Sequence, residues 1–500
     1  MNAHAPVRLS RRTLLAGTGS AALALTAATC SPSDPSSATP AEAGIARLDV
    51  TDPDGRVLDF AGLRRIQSNG AGEDAWDDQL LHPESLEVIT HAPLYEDTES
   101  SAAVDLPEGG ATLSLSWPTS HGYSALLADI PGPGRHSLAE LAARGLHERQ
   151  QPRLDTLPAS QARTAVENLR QETSAALDTC TGAAGPAERA AHGAEALEAA
   201  TAAQLMLDEA CLALAPGDAF IGVTFTRPPD PGRLSRAAGI GAGHRPVAAR
   251  IVVEDDTDPA ELDSWRQTIT ALHAAGSLAM VQVCDSQLMA ELDQGEWDRR
   301  VSALVRGLSE ADAWEIGNEL GGSWLGADAV ERTLQAAHAV RANQATADAT
   351  TVLTLYYQLG QDSAENSTLS WARDNLTPEL LDLTDVLGLS VYPQWHPLGA
   401  GADRVLTALA TAFPYQRVAL TELGYGGDDL DPGPWWFGDE HDTAAARNAT
   451  ARHLTSAALG RPGCWGAPFW WYYLEDEEPG TPGGPVSETL IDVARDTGSR

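Results

Sequence analysis

The 500-residue chain contains no lysine, so all 33 of its basic residues are arginines. This absence excludes a lysine Schiff base, a serine–lysine dyad and the nucleotide-binding loop that depends on a lysine. The chain also lacks the G-x-S-x-G motif of serine hydrolases and the H-E-x-x-H motif of zinc peptidases. Several large classes of enzyme are therefore excluded before any motif is interpreted.

Positive charge is scarce as well. The 33 basic residues face 70 acidic ones, for a formal net charge of −37. Such a surface repels nucleic acid and anionic membranes, so we expect neither as a partner of the folded body.

Cysteine is rare, and Cys180, Cys211, Cys284 and Cys464 lie in helical or apolar contexts. We predict that these four are reduced and buried.

Residues 1–29 have the composition of an export signal. Arg8, Arg11 and Arg12 form a basic start, and Ser10–Leu15 is similar to the twin-arginine signal. The Ala/Leu-rich run that follows is too short to span a bilayer comfortably. Cys30 ends a segment similar to the lipidation site of bacterial lipoproteins, which leaves two alternatives, lipidation of Cys30 or simple cleavage nearby. We expect an exported, extracellular or cell-surface monomer that meets a membrane only through such an anchor.

The chain after the leader divides into four segments. Residues 30–44 are rich in Ser, Pro and Ala and predict a flexible tether. Residues 45–134 contain short alternating strands separated by turns, which predicts a small β-sandwich that binds sugar or only packs on its neighbour. Residues 135–214 predict an antiparallel helical hairpin that serves as a spacer. Residues 215–500 form the fourth segment.

In that fourth segment apolar strands alternate with amphipathic helices. Strands are predicted at 220–225, 248–253, 278–283, 313–319, 352–357, 386–392, 418–422 and 466–473. Eight strands with intervening helices indicate an α/β fold, a (β/α)₈ TIM barrel. A doubly wound open sheet is the alternative. The barrel is favoured because polar and aromatic residues collect at strand ends, where barrels place their sites.

Two of these strands end in a glutamate. Glu319 ends the fourth strand and Glu422 the seventh, so in a barrel both lie at the C-terminal mouth. A pair of carboxylates is what glycoside hydrolysis requires, with one protonated and the other ionised. Arg250, in the second strand, is the candidate that keeps one of them ionised, and a salt bridge at the rim is its alternative role. The residues alone do not say which glutamate is the acid.

Four segments resemble the clan A glycoside hydrolases. They are Asn318-Glu319, Gly388–Pro393, Thr421–Gly424 and Phe469–Tyr473. The resemblance implies that Glu319 is the acid/base of a retaining mechanism and Glu422 its nucleophile. It also implies that Asn318 binds the sugar 2-hydroxyl and that Tyr392 supports Glu422. The third strand lacks the histidine-rich pattern of the xylanases, so no family within the clan is assigned.

Tryptophans are concentrated in the second half of the chain. Flat indole rings suit the apolar faces of sugars, and Trp395, Trp470 and Trp471 are the candidate substrate contacts, with the pair Trp435-Trp436 as further candidates. Because neighbours on a strand face opposite sides, only one of Trp470 and Trp471 is expected to enter the mouth. We predict a carbohydrate substrate, with no cofactor and no catalytic metal. A non-catalytic, glycan-binding surface lipoprotein and an unrelated barrel with coincidental glutamates are the alternatives.

Overall fold

The structure, a computed structural model, describes residues 43–68, 78–360, 366–425, 442–478, 480–481 and 483–497. The predicted leader, Cys30 and the pair Trp435-Trp436 lie outside the described residues. Export and lipidation therefore stay predictions. Within the described part of the chain, no helix combines the length and apolarity needed to cross a bilayer.

The N-terminal module begins with two small sheets. One has the order β4-β1-β7 and the other the order β3-β2-β5-β6. The strands are β1 Gly44–Asp49, β2 Gln79–Leu81, β3 Val88–His91, β4 Ala102–Leu106, β5 Ala111–Thr119, β6 Gly122–Ile130 and β7 Gly134–Ser137, and helix α1 spans Phe60–Ser68. Apolar residues of both sheets, such as Leu48 and Leu113, share one core.

Three helices follow the sheets, where a hairpin of two was expected. They are α2 Leu138–Thr156, α3 Gln161–Gly182 and α4 Pro186–Ala210. Ser137 starts the additional helix because its hydroxyl accepts a hydrogen bond from the amide of Glu140. Leu138 of α2 and Leu197 of α4 enter the core of the sheets. The helices are thus part of the packed module and not the separate spacer that the sequence suggested.

The second half of the chain is the predicted barrel, which the structure confirms. Eight parallel strands close in the order β8 to β15, with β15 paired to β8, so the open-sheet alternative is excluded. The strands are β8 Ile221–Phe225, β9 Val247–Val252, β10 Leu278–Gln282, β11 Ala313–Leu320, β12 Thr350–Tyr356, β13 Val386–Val391, β14 Arg417–Leu423 and β15 Phe469–Trp470.

Helices surround the barrel. They are α5 Pro231–Gly239, α6 Pro259–Ala274, α7 Ser286–Met289, α8 Gln294–Gly307, α9 Ala329–Ala342, α10 Thr368–Asn375, α11 Pro378–Asp382, α12 Ala402–Ala412, α13 Thr443–Leu459, α14 Tyr473–Asp476 and α15 Val486–Asp496. Aspartate N-caps begin several of them, and Asp293 forms a capping box with Glu296 at the start of α8. Their apolar faces and the outward faces of the strands form the main core.

The barrel interior is layered, and the layers decide where chemistry can occur. An apolar plug closes the N-terminal end, built from Phe220, Ala248, Met280, Ala313, Val352, Val386, Ala419, Trp465 and Phe469. Above it lies a polar layer in which Arg250 pairs with Glu315, and the hydroxyls of Thr354 and Thr421 lie 2.8 Å apart. The C-terminal mouth opens above this polar layer.

Candidate active site

Glu319 lies at the mouth in a strained backbone conformation. Its φ is 54°, and the pairing of β11 with β12 shifts register between Gly317 and Leu320. Neighbours in a regular strand face opposite sides, but this break lets Asn318 and Glu319 contact the same residue. The Ser286 amide donates to Asn318 Oδ1 at 3.0 Å and its hydroxyl to Glu319 Oε2 at 2.6 Å. A left-handed conformation outside glycine costs about 1–3 kcal/mol and is typical of functional sites.

Glu422 is held from three directions. The Tyr392 hydroxyl donates to Oε1 at 2.6 Å, and the Asn318 side-chain amide donates to Oε2 at 3.1 Å. Arg250 Nη1 lies 2.7 Å from the same Oε2. A Cβ on Gly424 would lie 3.0 Å from Tyr392 Cδ1, so the glycine leaves the space that the tyrosine ring occupies. Each of these groups stabilises a negatively charged carboxylate.

Arg250 is completely buried, so the expected alternative of a rim salt bridge is excluded. Its Nε and Nη2 lie 2.8 and 2.7 Å from Glu315 Oε2. Burial alone would lower the pKa of Arg250, but the charges of Glu315 and Glu422 raise it above its ordinary value. The guanidinium therefore stays charged between two carboxylates. It contacts Glu422, the kind of partner that the sequence predicted for it in general terms, and because it is enclosed, its prediction as a substrate-binding residue is not supported.

Glu319 has the opposite environment. Burial raises the pKa of Glu319 to about 8, and the negative charge of Glu422 contributes to the increase. Hydroxyl hydrogen bonds from Ser286 and Ser390 work against that increase without cancelling it. No arginine forms an ion pair with Glu319 among the described residues. At neutral pH Glu319 therefore holds a proton beside a carboxylate that is stabilised as an anion.

The aromatic residues at the mouth divide as the strand alternation requires. Trp471 faces inward, and its ring lies 5.1 Å from the guanidinium carbon of Arg250. Trp395 is 41% exposed on the rim, with its ring 5.7 Å from that of Tyr392. Tyr472 lies beyond Tyr392, with the two ring centroids 6.5 Å apart. Trp471 and Trp395 thus have the positions expected of substrate contacts.

Trp470 is not a substrate contact, and that part of the prediction is wrong. It faces outward from β15, is 1% exposed and packs in the core between barrel and helices. Its indole Nε1 donates to Asp476 Oδ2 at 2.6 Å, and Arg447 pairs with the same carboxyl group at 3.0 Å. The pleat of the strand forces this outcome, because Trp471 already takes the inward position.

A second aromatic group lies beside Glu319. Tyr356 ends β12 and is paired in register with Ser390, which donates to Glu319 at 2.8 Å. The Tyr356 ring meets the edge of Trp324 at 4.8 Å, and its hydroxyl lies 2.8 Å from His396 Nε2. Burial lowers the pKa of His396 to about 3, so the imidazole is neutral. The sequence prediction did not identify this group.

Sequence reasoning also missed four polar residues around the glutamates. Two of them are Ser390, two residues before Tyr392, and Glu315, four residues before Glu319. Because side chains at even spacing on a strand face the same side, this spacing was the signal that could have identified them. Ser286 and Asp285 follow β10, and Asp285 begins helix α7 by accepting the Gln287 amide at 2.9 Å. Burial, together with the charge of Glu422, raises the pKa of Asp285. These two have no signal in the sequence beyond their place at a strand end.

Side chains that could bind a metal ion do not cluster among the described residues. Within the part of the chain that the structure describes, no group of three or more His, Cys, Asp or Glu side chains is arranged to hold a metal ion. Cys180, Cys211, Cys284 and Cys464 are free and buried. Of these, Cys284 lies nearest in sequence to the site, and burial raises the pKa of its thiol to about 11.

Comparisons with known proteins give a consistent but distant picture. No family model matches the sequence, and no curated protein matches it. Solved structures similar to this chain include several glycoside hydrolases. They include fungal β-1,4-galactanases, a GH10 xylanase from Bispora sp. MEY-1 with xylobiose and a β-glucosidase from Thermotoga maritima. These neighbours belong to the clan that the sequence motifs resemble, and the chain is assigned to no family within it.

The similarity has a defined extent. The galactanase is 14% identical, with a TM-score of 0.37, and the match covers 54% of this chain and 94% of the other. The xylanase is 13% identical, with a TM-score of 0.39 and coverage of 56% and 98%. The β-glucosidase is 13% identical, with a TM-score of 0.34 and coverage of 53% and 86%. At these values the likeness concerns the fold alone.

Proposed function

We propose that this protein is a retaining glycoside hydrolase that cleaves β-glycosidic bonds, with Glu319 as acid/base and Glu422 as nucleophile. The observation that carries the proposal is the opposite environment of the two buried glutamates. Glu319 has a pKa raised to about 8, whereas Glu422 accepts from Tyr392 and Asn318 and pairs with Arg250. Double displacement requires this division into a proton donor and an anionic nucleophile.

The residues have the following roles in the proposed reaction. Glu422 attacks the anomeric carbon while the Glu319 proton passes to the glycosidic oxygen, and the bond to the leaving group breaks. The glycosyl–Glu422 ester is then hydrolysed by a water molecule whose proton Glu319, now a carboxylate, accepts. Asn318 lies between the two glutamates, where its amide can also meet the 2-hydroxyl of the bound sugar. Tyr392 and Arg250 stabilise the Glu422 carboxylate that is released when the glycosyl ester is hydrolysed.

The substrate proposed is a neutral β-linked glycan. Trp395 on the rim and Trp471 in the mouth offer faces on which a pyranose ring stacks, and the net charge of −37 repels polyanionic polysaccharides. As in the sequence prediction, the protein is proposed to act outside the cell.

The direct test is hydrolysis of aryl β-glycosides and neutral β-glycans by the purified protein. We expect Glu422→Gln to lower kcat at least about 10³-fold on every substrate, because the covalent step is lost. Glu319→Gln should lower kcat/KM about 10²–10⁴-fold on substrates with poor leaving groups. It should have much less effect on bond cleavage in 2,4-dinitrophenyl glycosides, whose leaving group needs no proton. In the truncated variants Glu422→Ala and Glu319→Ala, azide should restore turnover and give glycosyl azides of opposite anomeric configuration.

The matched outcomes separate the alternatives. Unchanged activity in Glu422→Gln would refute the assignment of the nucleophile. A wild-type protein that hydrolyses none of these substrates but binds one of the glycans in calorimetry would instead establish the non-catalytic glycan-binding function. The double variant Glu319→Gln/Glu422→Gln is the control for traces of contaminating glycosidase.

A further inference from the structure

The loop that follows the sixth barrel strand connects the nucleophile to the N-terminal module. It begins at Tyr392, whose hydroxyl donates to Glu422 at 2.6 Å. The amides of Trp395 and His396 both donate to the Tyr392 carbonyl at 3.0 Å, so the loop folds back over the tyrosine. Residues 392–401 end in a single 3₁₀ turn at Gly399–Gly401, directly before helix α12. We call residues 392–401 the mouth loop.

The far end of the mouth loop is enclosed by strand β6. The Ala400 amide donates to Ser124 Oγ at 3.2 Å, and the Ala125 amide donates to the Leu398 carbonyl at 3.4 Å. Gly399 has a φ of 45°, and a Cβ on it would lie 2.8 and 2.9 Å from Ser124 Cβ and Cα. No side chain fits at Gly399 unless β6 or the loop moves.

Arg404 fastens the next turn of the chain to the same module. It lies in α12 and is 9% exposed. Its Nη2 donates to the Pro83 carbonyl at 2.9 Å, to Thr112 Oγ1 at 2.8 Å and to Asp129 Oδ1 at 2.6 Å. All three acceptors belong to the N-terminal module. A buried guanidinium with three acceptors in one neighbour fixes both position and direction.

The module also contacts Gly360, which follows the fifth strand, and helix α10. His91 Nδ1 lies 3.0 Å from the Gly360 carbonyl, and the Val88 amide donates to Ser370 Oγ at 3.0 Å. The end of β12 is joined to the mouth loop by the Tyr356 hydroxyl and His396 Nε2, which lie 2.8 Å apart. The N-terminal module therefore contacts both the mouth loop and the chain that follows β12.

In the described part of the module, Trp117 does not provide a sugar-binding face. This residue of β5 is 4% exposed and packs in the module core. Its neighbours in β6, Ser124 and Ala125, face the barrel. The side of the module that contacts the barrel carries both polar groups and apolar atoms that fit the mouth loop.

We infer that the N-terminal module acts as a fixed support for the mouth loop, and that Ser124 and Gly399 are positioning residues that keep Tyr392 hydrogen-bonded to Glu422. This inference rests on the proposed function for its kinetic consequences, and its structural part is independent of it. The module then contributes to the rate of the chemical step and not to recruitment of the glycan.

The experiment compares Gly399→Ala with the wild type and with Gly239→Ala. Gly239 is the last residue of helix α5, and a Cβ on it would meet no atom within 4 Å. Hydrogen exchange of the peptide 392–401 is the first measurement, because it needs no activity. We expect exchange at Trp395, His396 and Ala400 to rise at least about tenfold in Gly399→Ala and to be unchanged in Gly239→Ala.

Kinetics give the second measurement. Gly399→Ala should lower kcat about tenfold or more with a smaller change in KM, because Glu422 loses the Tyr392 hydrogen bond that positions it. In the Tyr392→Phe background the same substitution should cost less than about twofold, since both changes remove one interaction.

The outcomes that overturn the inference are distinct from failure of the proposed function. Unchanged exchange in the mouth loop of Gly399→Ala overturns the support, whatever the activity. If exchange rises but the effects of Gly399→Ala and Tyr392→Phe on kcat are fully additive, the loop does not act through Tyr392 and that part of the inference is overturned. An inactive wild type refutes the proposed function and leaves the exchange experiment to decide on the support. Circular dichroism of each variant confirms that it is folded before these comparisons are made.

Discussion

Glu319 combines two unfavourable features in one residue. Its backbone has a φ of 54°, and the residue is 7% exposed, with its carboxyl group beside another carboxylate. Neither feature helps the protein to fold, and each is of the kind found where function opposes stability. The local pattern of the sequence indicated a strand end here, but nothing in it indicated the left-handed conformation.

The protonation of Glu319 makes stability depend on pH. Its pKa is about 8 in the folded protein and about 4.3 in an unfolded chain, so between these values the native state retains a proton that the unfolded state releases. The free energy of unfolding therefore falls as pH rises through this window. We expect Glu319→Gln to raise Tm, with a larger difference at pH 8 than at pH 5. Calorimetry at both pH values measures it, and a Tm below that of the wild type at both would contradict the buried neutral acid.

The same proton determines the alkaline limb of activity. The acid must be protonated, so kcat/KM for substrates with poor leaving groups should fall about tenfold per pH unit above about pH 8. The limb should be absent for bond cleavage in 2,4-dinitrophenyl glycosides. A limb that is equally present with both kinds of leaving group would assign the titration to another residue, such as Asp285, whose pKa is also raised.

Strand β15 shows how an element distributes function over two adjacent residues. Trp470 and Trp471 are chemically equal, but one lies in the core and donates to Asp476, whereas the other covers Arg250 in the mouth. The pleat requires that they face apart, and only the closed barrel decides which of them faces inward. The strand itself is short because just Phe469 and Trp470 pair with their neighbours.

These two tryptophans should separate stability from activity. Trp470→Phe should lower the free energy of unfolding by about 1–3 kcal/mol, because the Asp476 carboxyl loses a buried donor, and should leave KM unchanged. Trp471→Phe should raise KM on oligosaccharides with a smaller effect on Tm. Urea denaturation and steady-state kinetics of both variants check this. A raised KM in Trp470→Phe alone would show that the strand has the opposite orientation.

At the scale of the whole molecule, the excess of negative charge is greater at the surface because many of the arginines are paired inside the fold. The net charge of −37 is spread over a chain that has only arginine as a permanent cation, and many arginines are used internally. Arg250, Arg404 and Arg447 pair with carboxylates inside the fold or between its parts. The remaining acidic surface repels itself, which destabilises the compact state at low ionic strength.

Salt should therefore stabilise the protein. We expect Tm to rise as NaCl increases from about 10 mM to about 500 mM, since screening acts on the excess of exposed carboxylates before it reaches buried pairs. Sucrose at matched water activity is the control for general exclusion effects. A Tm that falls with NaCl would show that surface ion pairs outweigh net repulsion.

The placement of Asn318 and Tyr392 beside the glutamates was implied by the resemblance to the clan A glycoside hydrolases, whereas the sequence by itself determined the barrel and the strands that carry Glu319 and Glu422. Apolar strands of regular spacing with polar ends suffice for that, because their periodicity is local. Only the tertiary structure decided which tryptophan faces the mouth, that Arg250 is buried between two carboxylates, and that Ser286, Ser390 and Glu315 complete the site. It also placed β6 of the N-terminal module against the mouth loop. These contacts join residues far apart in the chain, and closure of the barrel, not local periodicity, brings them together.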